Sequence, residues 1–371
     1  MSVASQSVML AAGGTGGHLF PAFALAEELG RRSIAVDLVT DMRGDRYGTS
    51  FPARRTYRVP SATFSGRSIF GAGRAAWMLL RGIAASLKLM REVKPGAVVG
   101  FGGYPAFPPL VAARMRKIPT ALHEQNAVLG RANRALANHV SVVAASFENT
   151  KHLTGAALAK ARVTGNPVRD QVVEWASQSY QAPSSGPFAL LVFGGSQGAR
   201  YFSDTVPAAL ATLPEAVRAR LFVVQQCREE DLARVEQAYG QAGIRAQLAA
   251  FFASLPEEMA RAHLVIARSG ASTVAELAVM GRPAILVPLP HAIDNDQLNN
   301  ARRLAQNGGA WCMEQKDLTP DALAEVIGRL LASPDTLVRA AAAAKAQGRP
   351  DAVQRLADLV EELMGRGPVS A

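Results

Sequence analysis

The sequence has little cysteine, few aromatic residues and no long apolar segment, and each shortage excludes a class of protein. Cys227 and Cys312 are the only cysteines among 371 residues, too few for a disulfide framework and without metal-site spacing, so we expect a reducing cytoplasm. No apolar run reaches the roughly 18 residues of a spanning helix, and residues 1–6 lack the basic segment of a secretory signal. We therefore expect a protein that is neither secreted nor integral to a membrane.

Acidic residues are also scarce, but only in the first half of the chain. Residues 1–165 hold 21 Lys and Arg against 8 Asp and Glu, whereas the remainder holds 19 against 22. This asymmetry predicts an anionic partner for the N-terminal half, and phosphate, an anionic membrane surface and nucleic acid all qualify. No nucleic-acid-binding motif accompanies the charge, so a non-catalytic nucleic-acid-binding protein is an alternative that we disfavour.

Two short apolar segments, residues 7–12 and 188–193, each enter a glycine-rich turn that a helical pattern follows. A strand, a glycine turn and a helix open a doubly wound α/β domain, and further short apolar runs alternating with helical stretches predict parallel sheets. The length also favours two domains. The predicted division is an N-terminal domain over 1–166, a second domain over 167–348, and a C-terminal helix over 349–371 that packs on its own domain or back on the first.

The glycine turns at 13–17 and 194–198 let the backbone approach a ligand while a helix N-terminus offers N–H groups and partial positive charge. They predict phosphate or pyrophosphate sites, although glycine also serves tight turns for steric reasons alone. The first turn lacks the Gly-Lys-Ser/Thr ending of a nucleoside-triphosphate P-loop, and it lacks the third glycine of the dinucleotide-binding fingerprint. A nicotinamide-dependent oxidoreductase, with Asp37 or Asp41 as its ribose-binding acid, remains an alternative that explains half of the chain.

A third segment, 268–276, predicts a strand end, a turn of small residues and the start of a helix, with Glu276 in or near the first helical turn. The N–H groups of this helix would face a diphosphate, and the Glu276 carboxylate would accept hydrogen bonds from a ribose diol. Alternatively, Thr273 and Glu276 form a capping box that satisfies the helix start and binds nothing.

Taken together, these segments resemble the MurG family of bacterial peptidoglycan glycosyltransferases over almost the whole chain. The matching motifs are Gly13–His18 with Pro21, Gly102–Tyr104, His123–Asn126, Gly165–Arg169, Gly194–Arg200, Ser269–Glu276 and Asp296–Gln297. The resemblance implies the GT-B fold, in which two doubly wound Rossmann-like domains with parallel sheets face each other across a cleft. The N-terminal domain would take the acceptor and the membrane, and the second domain the UDP-sugar.

The family's activity implies inverting transfer of N-acetylglucosamine from UDP-N-acetylglucosamine to the C4 hydroxyl of lipid I, which gives lipid II. It implies a peripheral enzyme on the cytoplasmic face of the inner membrane and leaves open contacts with other cell-wall synthesis proteins. We expect no cofactor and no metal, because the family's donor site needs no metal ligands from the protein. Residues 294–296, which resemble a metal-binding Asp-x-Asp, are interpreted as a helix N-cap. A nucleotide-sugar epimerase on the same fold is a nearer alternative.

The resemblance also assigns donor contacts to individual positions. They are Thr15, Gly16, Gly17, Asn126, Arg169, Ser196, Phe252, Ala271, Ser272, Thr273, Val274, Ala275, Glu276 and Gln297. Ser196 would touch the diphosphate and Phe252 would lie against the uracil. Ordinary alternatives are turn roles for Asn126 and Arg169 and a core position for Phe252. Asp296 departs from a Gln-Gln pair found in some family members, and no contact is assigned to it.

His18, on the first glycine turn, is the candidate general base. The acceptor hydroxyl must lose a proton during transfer, and imidazole suits this role near neutral pH. Alternatively, His18 bonds the backbone or positions a loop, and Glu124 or another carboxylate is the base. The remaining histidines do not cluster as metal ligands would.

Residues 43–94 carry 11 Lys and Arg but only two acidic residues, with large apolar side chains interleaved. This mixture predicts a surface for the acceptor and for anionic lipid. The residues assigned to it are Ile69, Phe70, Arg74, Trp77 and Arg81. Alternatively, the segment is an ordinary helix with its apolar face in the core and solvated arginines outside.

Overall fold

The computed structural model describes residues 7–13, 16–41, 51–61, 69–183, 185–290 and 292–366, without the side chains of 69–72, 196–199 and 293. The chain divides into two compact units. The first runs to Arg169 and also includes the chain from Pro350 onward, and the second is Asp170–Arg349.

The first unit is built on a parallel sheet. Its described strands are β1 (Val8–Ala11), β2 (Val36–Thr40), β3 (Arg55–Arg58), β4 (Ala97–Gly100), β5 (Thr120–Glu124), β6 (Val142–Ala145) and β7 (Ala161–Val163). They pair in the order β3-β2-β1-β4-β5-β6-β7. Strands β1, β4 and β6 are continuous apolar runs because helices cover both faces, whereas the edge strand β3 is polar. The strand order reverses between β1 and β4, and ligands bind at the carboxyl ends of strands at such a switch point.

Helices cover both faces of this sheet. They are α1 (Gly16–Arg31), α2 (Ile69–Val93), α3 (Gly103–Met115), α4 (Arg131–Ala137) and α5 (Gly155–Ala159). Because successive strand residues point to opposite faces, Val8 and Leu10 of β1 pack in the core on the α1 side, with Leu25. Met9 packs in the opposite core with Leu110 of α3.

The second unit repeats this design. Its described strands are β8 (Phe188–Phe193), β9 (Leu221–Gln226), β10 (Arg245–Ala249), β11 (Leu264–Ala267), β12 (Ala284–Leu286) and β13 (Ala310–Cys312), all parallel in the order β10-β9-β8-β11-β12-β13. The switch point lies between β8 and β11. The predicted fold class, two doubly wound Rossmann-like domains, is therefore confirmed.

The helices of the second unit follow in chain order. They are α6 (Asp170–Trp175), α7 (Gly195–Ala211), α8 (Glu215–Arg218), α9 (Leu232–Gln241), α10 (Leu255–Arg261), α11 (Ala271–Met280), α12 (Asp296–Gln306), α13 (Pro320–Leu331) and α14 (Pro334–Gln347). Across the described residues of both units, no helix combines the length and apolar character needed to cross a membrane.

The C-terminal helix α15 (Ala352–Leu363) packs against α1 in the first unit. Leu356 and Val360 enter the core on that side of the sheet. Arg32, just beyond α1, donates hydrogen bonds to Glu28 at 2.8 Å, to Asp358 at 2.5 Å and to Glu361 at 2.6 Å. One guanidinium therefore joins the end of α1 to α15.

Replacing Arg32 with alanine should destabilise the first unit by about 1–2 kcal/mol, because Glu28 and Glu361 are mostly buried and lose a charged donor. Burial raises the pKa of Glu28, but Arg32 and Arg31 outweigh burial and hold it below its ordinary value. A depressed carboxyl pKa contributes stability above the unfolded-state pKa of about 4.5 and loses it as the pH falls through the folded-state pKa.

Urea unfolding at pH 7 and pH 3.5 measures this effect. We expect the difference in the free energy of unfolding between wild type and Arg32→Ala to be smaller at pH 3.5 than at pH 7. Arg355→Ala, which removes an exposed ion pair with Asp351 in α15, is the matched control and should cost under about 0.5 kcal/mol. Equal losses for both variants would contradict the role given to Arg32.

Candidate functional site

In the second unit, the loop after β11 leads into α11 at the switch point. Gly270 occupies the N-cap position and has no side chain to bond the first N–H groups, and the first helical bond runs from Val274 N–H to the Gly270 carbonyl at 3.0 Å. The Ser272 hydroxyl oxygen is buried and has no hydrogen-bond partner within the described part of the chain. Since unpaired buried groups are costly and helix N-termini attract anions, this helix start suits a phosphate-bearing ligand.

The alternative of a capping box at this helix is wrong. Thr273 is the third residue of α11 rather than its N-cap, so its side chain does not occupy the capping position. Glu276 is buried and lies in the second helical turn, next to the first. The helix starts with Ala271, Ser272 and Thr273, and its next two residues are Val274 and Ala275.

Arg268, between β11 and this loop, ties neighbouring strand ends together. Its guanidinium donates hydrogen bonds to the carbonyls of Val287 and Pro288, each at 3.1 Å, and to Gln315 Oε1 at 2.7 Å. Burial lowers the pKa of Arg268. Sequence reasoning assigned no role to this residue, although an arginine between an apolar strand and a small-residue turn could have indicated one.

Gln297, a predicted sugar contact, holds the loop before α12. Its side-chain Oε1 accepts a hydrogen bond from Leu289 N–H at 3.0 Å, and its carbonyl accepts one from the Ser269 hydroxyl at 2.8 Å. The start of α12 is thereby fixed to the loop after β11. The Gln297 amide oxygen thus has a structural partner, and its contact with a sugar stays a prediction.

The segment 294–296 begins a helix, as interpreted, but without the expected cap. Asn295 is the N-cap of α12 and its side chain makes no capping hydrogen bond, while Asp296 is the first helical residue and its Oδ1 accepts from Gln297 N–H at 2.7 Å. Among the described residues, no group of three or more His, Cys, Asp or Glu is placed to hold a metal ion.

Two further donor predictions of this unit lie close to strand ends, Phe252 on a loop and Ser196 at the start of a helix. Phe252, beyond β10, is half-buried, whereas the adjacent Phe251 is 79% exposed. Phe251 is the more exposed of the two and is better placed to stack on a flat ring, although the resemblance assigns that contact to Phe252. Ser196 lies in the first turn of α7, whose N-cap is Gly194, but its side chain is outside the described residues.

In the first unit, the loops after β1 and β4 meet at His18. His18 is the third residue of α1, preceded by Gly16 and Gly17, and Thr15 lies outside the described residues. The imidazole packs against Gly103, where an added Cβ would lie 3.4 Å from His18 Nε2 and where φ is +68°. A side chain at Gly103 would be strained by this left-handed backbone conformation, so glycine is favoured beside the ring.

A chain of buried polar groups leads from His18 into the protein. His18 Nδ1 lies 3.2 Å from Gln125 Oε1, Gln125 Nε2 lies 3.0 Å from His123 Nδ1, and His123 Nε2 lies 3.0 Å from the Gly165 carbonyl. His123 and Gln125 are two residues apart at the end of β5, so their side chains point to the same side of the sheet. A His and a Gln two residues apart at the end of an apolar segment are the sequence signal that could predict this pair.

Glu124, the alternative base, is buried, and both of its carboxylate oxygens accept hydrogen bonds. Its Oε1 accepts from the backbone and side-chain N–H groups of Asn126 at 3.0 and 3.2 Å, and its Oε2 accepts from Gly130 N–H at 2.9 Å and Asn133 Nδ2 at 2.7 Å. Burial raises the pKa of Glu124 against the opposing effect of these bonds. The carboxylate shapes the loop after β5, and Asn126 takes part in that turn.

Arg169, a predicted donor contact, lies at the end of the first unit. Its guanidinium carbon is 5.0 Å from the centroid of the Phe20 ring in α1, a cation–π geometry. The Gly16 Cα also packs on this ring, since an added Cβ would lie 3.0 Å from it. Arg169 therefore belongs to the same end of α1 as His18.

Helix α2 buries one side and exposes large apolar groups on another. Leu79 and Ala75 lie in the interior, whereas Trp77 is 62% and Leu80 61% exposed, with Arg74 and Arg81 exposed beside them. The side chains of Ile69 and Phe70 are outside the described residues. The interpretation as an ordinary amphipathic helix accounts for the buried side but not for an exposed tryptophan and leucine.

The oxidoreductase alternative needs Asp37 or Asp41 to bind a ribose, and the structure rules out Asp37. Asp37 lies in the N-terminal half of β2, remote from the carboxyl edge, and its carboxylate accepts hydrogen bonds from Arg54 at 2.6 and 3.2 Å. Asp41 directly follows β2 at the carboxyl edge and is buried. Its position alone does not distinguish an oxidoreductase from a transferase.

Comparison with known proteins decides between these alternatives. The chain matches the glycosyltransferase family 28 N-terminal domain over residues 8–145 and the glycosyltransferase family 28 C-terminal domain over 189–356. It is 54% identical over 365 residues to the UDP-N-acetylglucosamine–N-acetylmuramyl-(pentapeptide) pyrophosphoryl-undecaprenol N-acetylglucosamine transferase of Methylobacterium nodulans, covering 98% of both chains. The transferase of the same name from Brucella abortus is 51% identical, over 98% of this chain and 96% of that one.

A solved structure supports the same family. The crystal structure of Acinetobacter baumannii MurG is similar with a TM-score of 0.78 and 30% identity, covering 96% of this chain and 99% of that one. A UDP-GlcNAc 2-epimerase from Neisseria meningitidis, bound to UDP-GlcNAc, has a TM-score of 0.67 at 14% identity over 98% and 100% of the chains, a likeness of fold alone. The relatives support the transferase prediction rather than the oxidoreductase or epimerase alternatives.

Proposed function

The chain belongs to glycosyltransferase family 28 and, within it, to the MurG enzymes, and from this premise we propose that it transfers N-acetylglucosamine from UDP-N-acetylglucosamine to lipid I. The C4 hydroxyl of the acceptor attacks the anomeric carbon with inversion, and the product is lipid II. Loss of the diphosphate passes through an oxocarbenium-like transition state.

One observation carries the donor side of this proposal, namely the start of α11. Its first N–H groups follow a glycine N-cap and the buried Ser272 hydroxyl has no partner among the described residues, so a diphosphate would satisfy all of them. Preorganised donors of this kind also stabilise the charge that develops on the leaving diphosphate, without a metal ion. In this proposal Glu276 takes the ribose diol, Gln297 the sugar, and Ser196 the diphosphate.

The first unit contributes the acceptor side. His18 is proposed as the general base, on the switch point where the loops after β1 and β4 meet. Gly16, Gly17, Thr15, Asn126 and Arg169 are proposed to line the approach to the sugar. Glu124 is not proposed as the base, because each of its oxygens already accepts two hydrogen bonds.

Transfer of labelled N-acetylglucosamine from UDP to a lipid I analogue tests the function directly. We expect a labelled lipid product whose yield is unchanged by a chelator. An epimerase would convert the donor without any lipid, and an oxidoreductase would bind a nicotinamide cofactor instead of UDP. Either result, or loss of all transfer with chelator, would contradict the proposal.

We further propose that the protein attaches peripherally to the cytoplasmic face of the inner membrane through α2. Exposed Trp77 and Leu80 would insert shallowly, while Arg74 and Arg81 would attract anionic headgroups, each basic residue contributing roughly 1 kcal/mol near such a surface. Lipid I carries its sugar on a membrane-anchored diphosphate, so this attachment would bring the first unit to its acceptor.

Replacing both Trp77 and Leu80 with serine should weaken binding to anionic vesicles by at least about tenfold, since burying each side chain is worth roughly 1.5–3 kcal/mol. Liposome flotation at low salt measures the loss. Val338→Ser, at another exposed apolar position on α14, is the control and should bind as wild type does. No preference of the wild type for anionic over neutral vesicles would remove the membrane proposal.

A further inference from the structure

The buried polar groups behind His18 determine where the ring protons lie. The Gly165 carbonyl can only accept a hydrogen bond, so His123 Nε2, 3.0 Å away, must carry a proton and donate it. His123 is completely buried, and burial lowers its pKa to about 4, so the ring is neutral at pH 7. His123 therefore has no second proton, and its Nδ1 is an acceptor.

Gln125 transmits this constraint to His18. Its Nε2 lies 3.0 Å from His123 Nδ1, 3.0 Å from the Phe101 carbonyl and 3.3 Å from the His123 carbonyl. All three of these atoms accept, so the atom facing them is the amide nitrogen. The opposite atom, Oε1, is then the oxygen that faces His18 Nδ1 at 3.2 Å, and Nδ1 must donate to it.

We propose that His123 and Gln125 are positioning residues that hold His18 in the Nδ1–H tautomer, so that His18 Nε2 is available to accept the proton of the attacking hydroxyl. The hydrogen bond at one imidazole nitrogen decides which nitrogen stays unprotonated. A histidine without such a partner favours the proton on Nε2, which cannot then act as a base. The inference rests on the proposed function for its catalytic consequence.

The transfer step balances with these groups alone. The acceptor C4 oxygen forms a bond to the anomeric carbon, the bond from that carbon to the diphosphate oxygen breaks, and UDP leaves with the electron pair. The hydroxyl proton moves to His18 Nε2, which gives an imidazolium that still donates from Nδ1 to Gln125 Oε1. Solvent later takes the proton. His123 and Gln125 keep their protons throughout, so they act by position.

The tautomer itself is measurable without turnover. Long-range ¹⁵N–¹H correlation spectra of protein labelled with ¹⁵N-histidine distinguish the two ring nitrogens, and His18→Gln assigns the signal. For the neutral His18 ring we expect a protonated Nδ1 and a bare Nε2. A wild-type spectrum with the proton on Nε2 would overturn the inference.

Gln125→Met keeps the size of the side chain but removes the hydrogen bonds made by its amide oxygen and its amide nitrogen. We expect it to move the His18 proton to Nε2 and to lower kcat by about 10- to 100-fold, with KM for both substrates within twofold of wild type. Gln125→Glu keeps an oxygen facing His18 Nδ1. Its other oxygen would face acceptors at a buried site, which favours the protonated carboxylic acid, whose O–H can donate where the amide nitrogen did. This variant should therefore retain the Nδ1–H form and recover kcat to within about tenfold of wild type.

Gln225→Met is the matched control, because Gln225 is also a buried glutamine and bonds Tyr239 in the second unit. It should leave both the His18 spectrum and kcat unchanged. A fall in kcat for Gln125→Met with an unchanged tautomer, or a changed tautomer with unchanged kcat, would overturn the inference. Absence of transfer by the wild type would overturn the proposed function, whereas an Nε2–H spectrum together with normal transfer would overturn this inference alone.

Discussion

Replacing His18 with alanine should lower kcat by about 10²- to 10⁴-fold, the range that a positioned general base contributes. The ring is held between the Gly103 backbone and Gln125, and in this proposal its Nε2 is the atom that takes the proton. Binding of UDP-N-acetylglucosamine should stay unchanged, because in this proposal the diphosphate and uridine are bound by the second unit. Single-turnover kinetics for the chemical step and titration calorimetry with UDP for binding separate the two effects.

His139→Ala provides the comparison, since His139 is an exposed histidine of the same unit. It should retain wild-type turnover. If His18→Ala kept turnover within threefold of wild type while donor affinity was unchanged, the base would have to be sought elsewhere. Glu124 would remain a poor substitute, because releasing its carboxylate would free four hydrogen-bond donors of the loop after β5.

The buried parallel strands could be read from the sequence, and the polar edge strands could not. Residues 188–193 and 264–267 are continuous apolar runs because helices cover both faces of the sheet, and the structure forms β8 and β11 there. β3 and β10 contain arginine and lie at sheet edges with exposed side chains, so no apolar run predicts them. Their position depends on pairing with β2 and β9, which is a tertiary property.

In the candidate site, too, the sequence predicts local features but not contacts between distant residues. The glycine turns predicted which helix starts lie at the switch points, because a turn of that kind follows from the local backbone. The tautomer of His18 depends on Gly165, which is 147 residues away along the chain and reaches it only through His123 and Gln125. Thr273 and Glu276 fit a capping box by spacing, yet the helix begins at Ala271, since the preceding strand fixes where the turn ends.

Replacing Arg268 with methionine should destabilise the second unit by about 3 kcal/mol and raise KM for UDP-N-acetylglucosamine at least about tenfold. The guanidinium lies 5.2 and 5.1 Å from the ring centroids of Tyr201 and Phe202 and bonds two strand-end carbonyls. Methionine would fill the space but leave those buried carbonyls without their donor, at roughly 1–3 kcal/mol each. The ends of β11 and β12 would keep the backbone hydrogen bond from Val287 N–H to the Ala267 carbonyl but lose the bridge through the guanidinium, so the turn that leads into α11 would be held less firmly.

Urea unfolding followed by the fluorescence of Trp175 and Trp311 reports on this unit, in a Trp77→Phe background that removes the remaining tryptophan. Arg329→Met, at an exposed arginine 3.9 Å from Glu325, is the matched control and should cost under about 0.5 kcal/mol. Arg268→Lys should recover only part of the stability, because an ammonium cannot reach both carbonyls and Gln315 with the fixed geometry of a guanidinium. A free energy of unfolding for Arg268→Met within 1 kcal/mol of wild type would contradict this prediction, because the strand ends would then be held by other contacts. KM for UDP-N-acetylglucosamine should in that case also be normal.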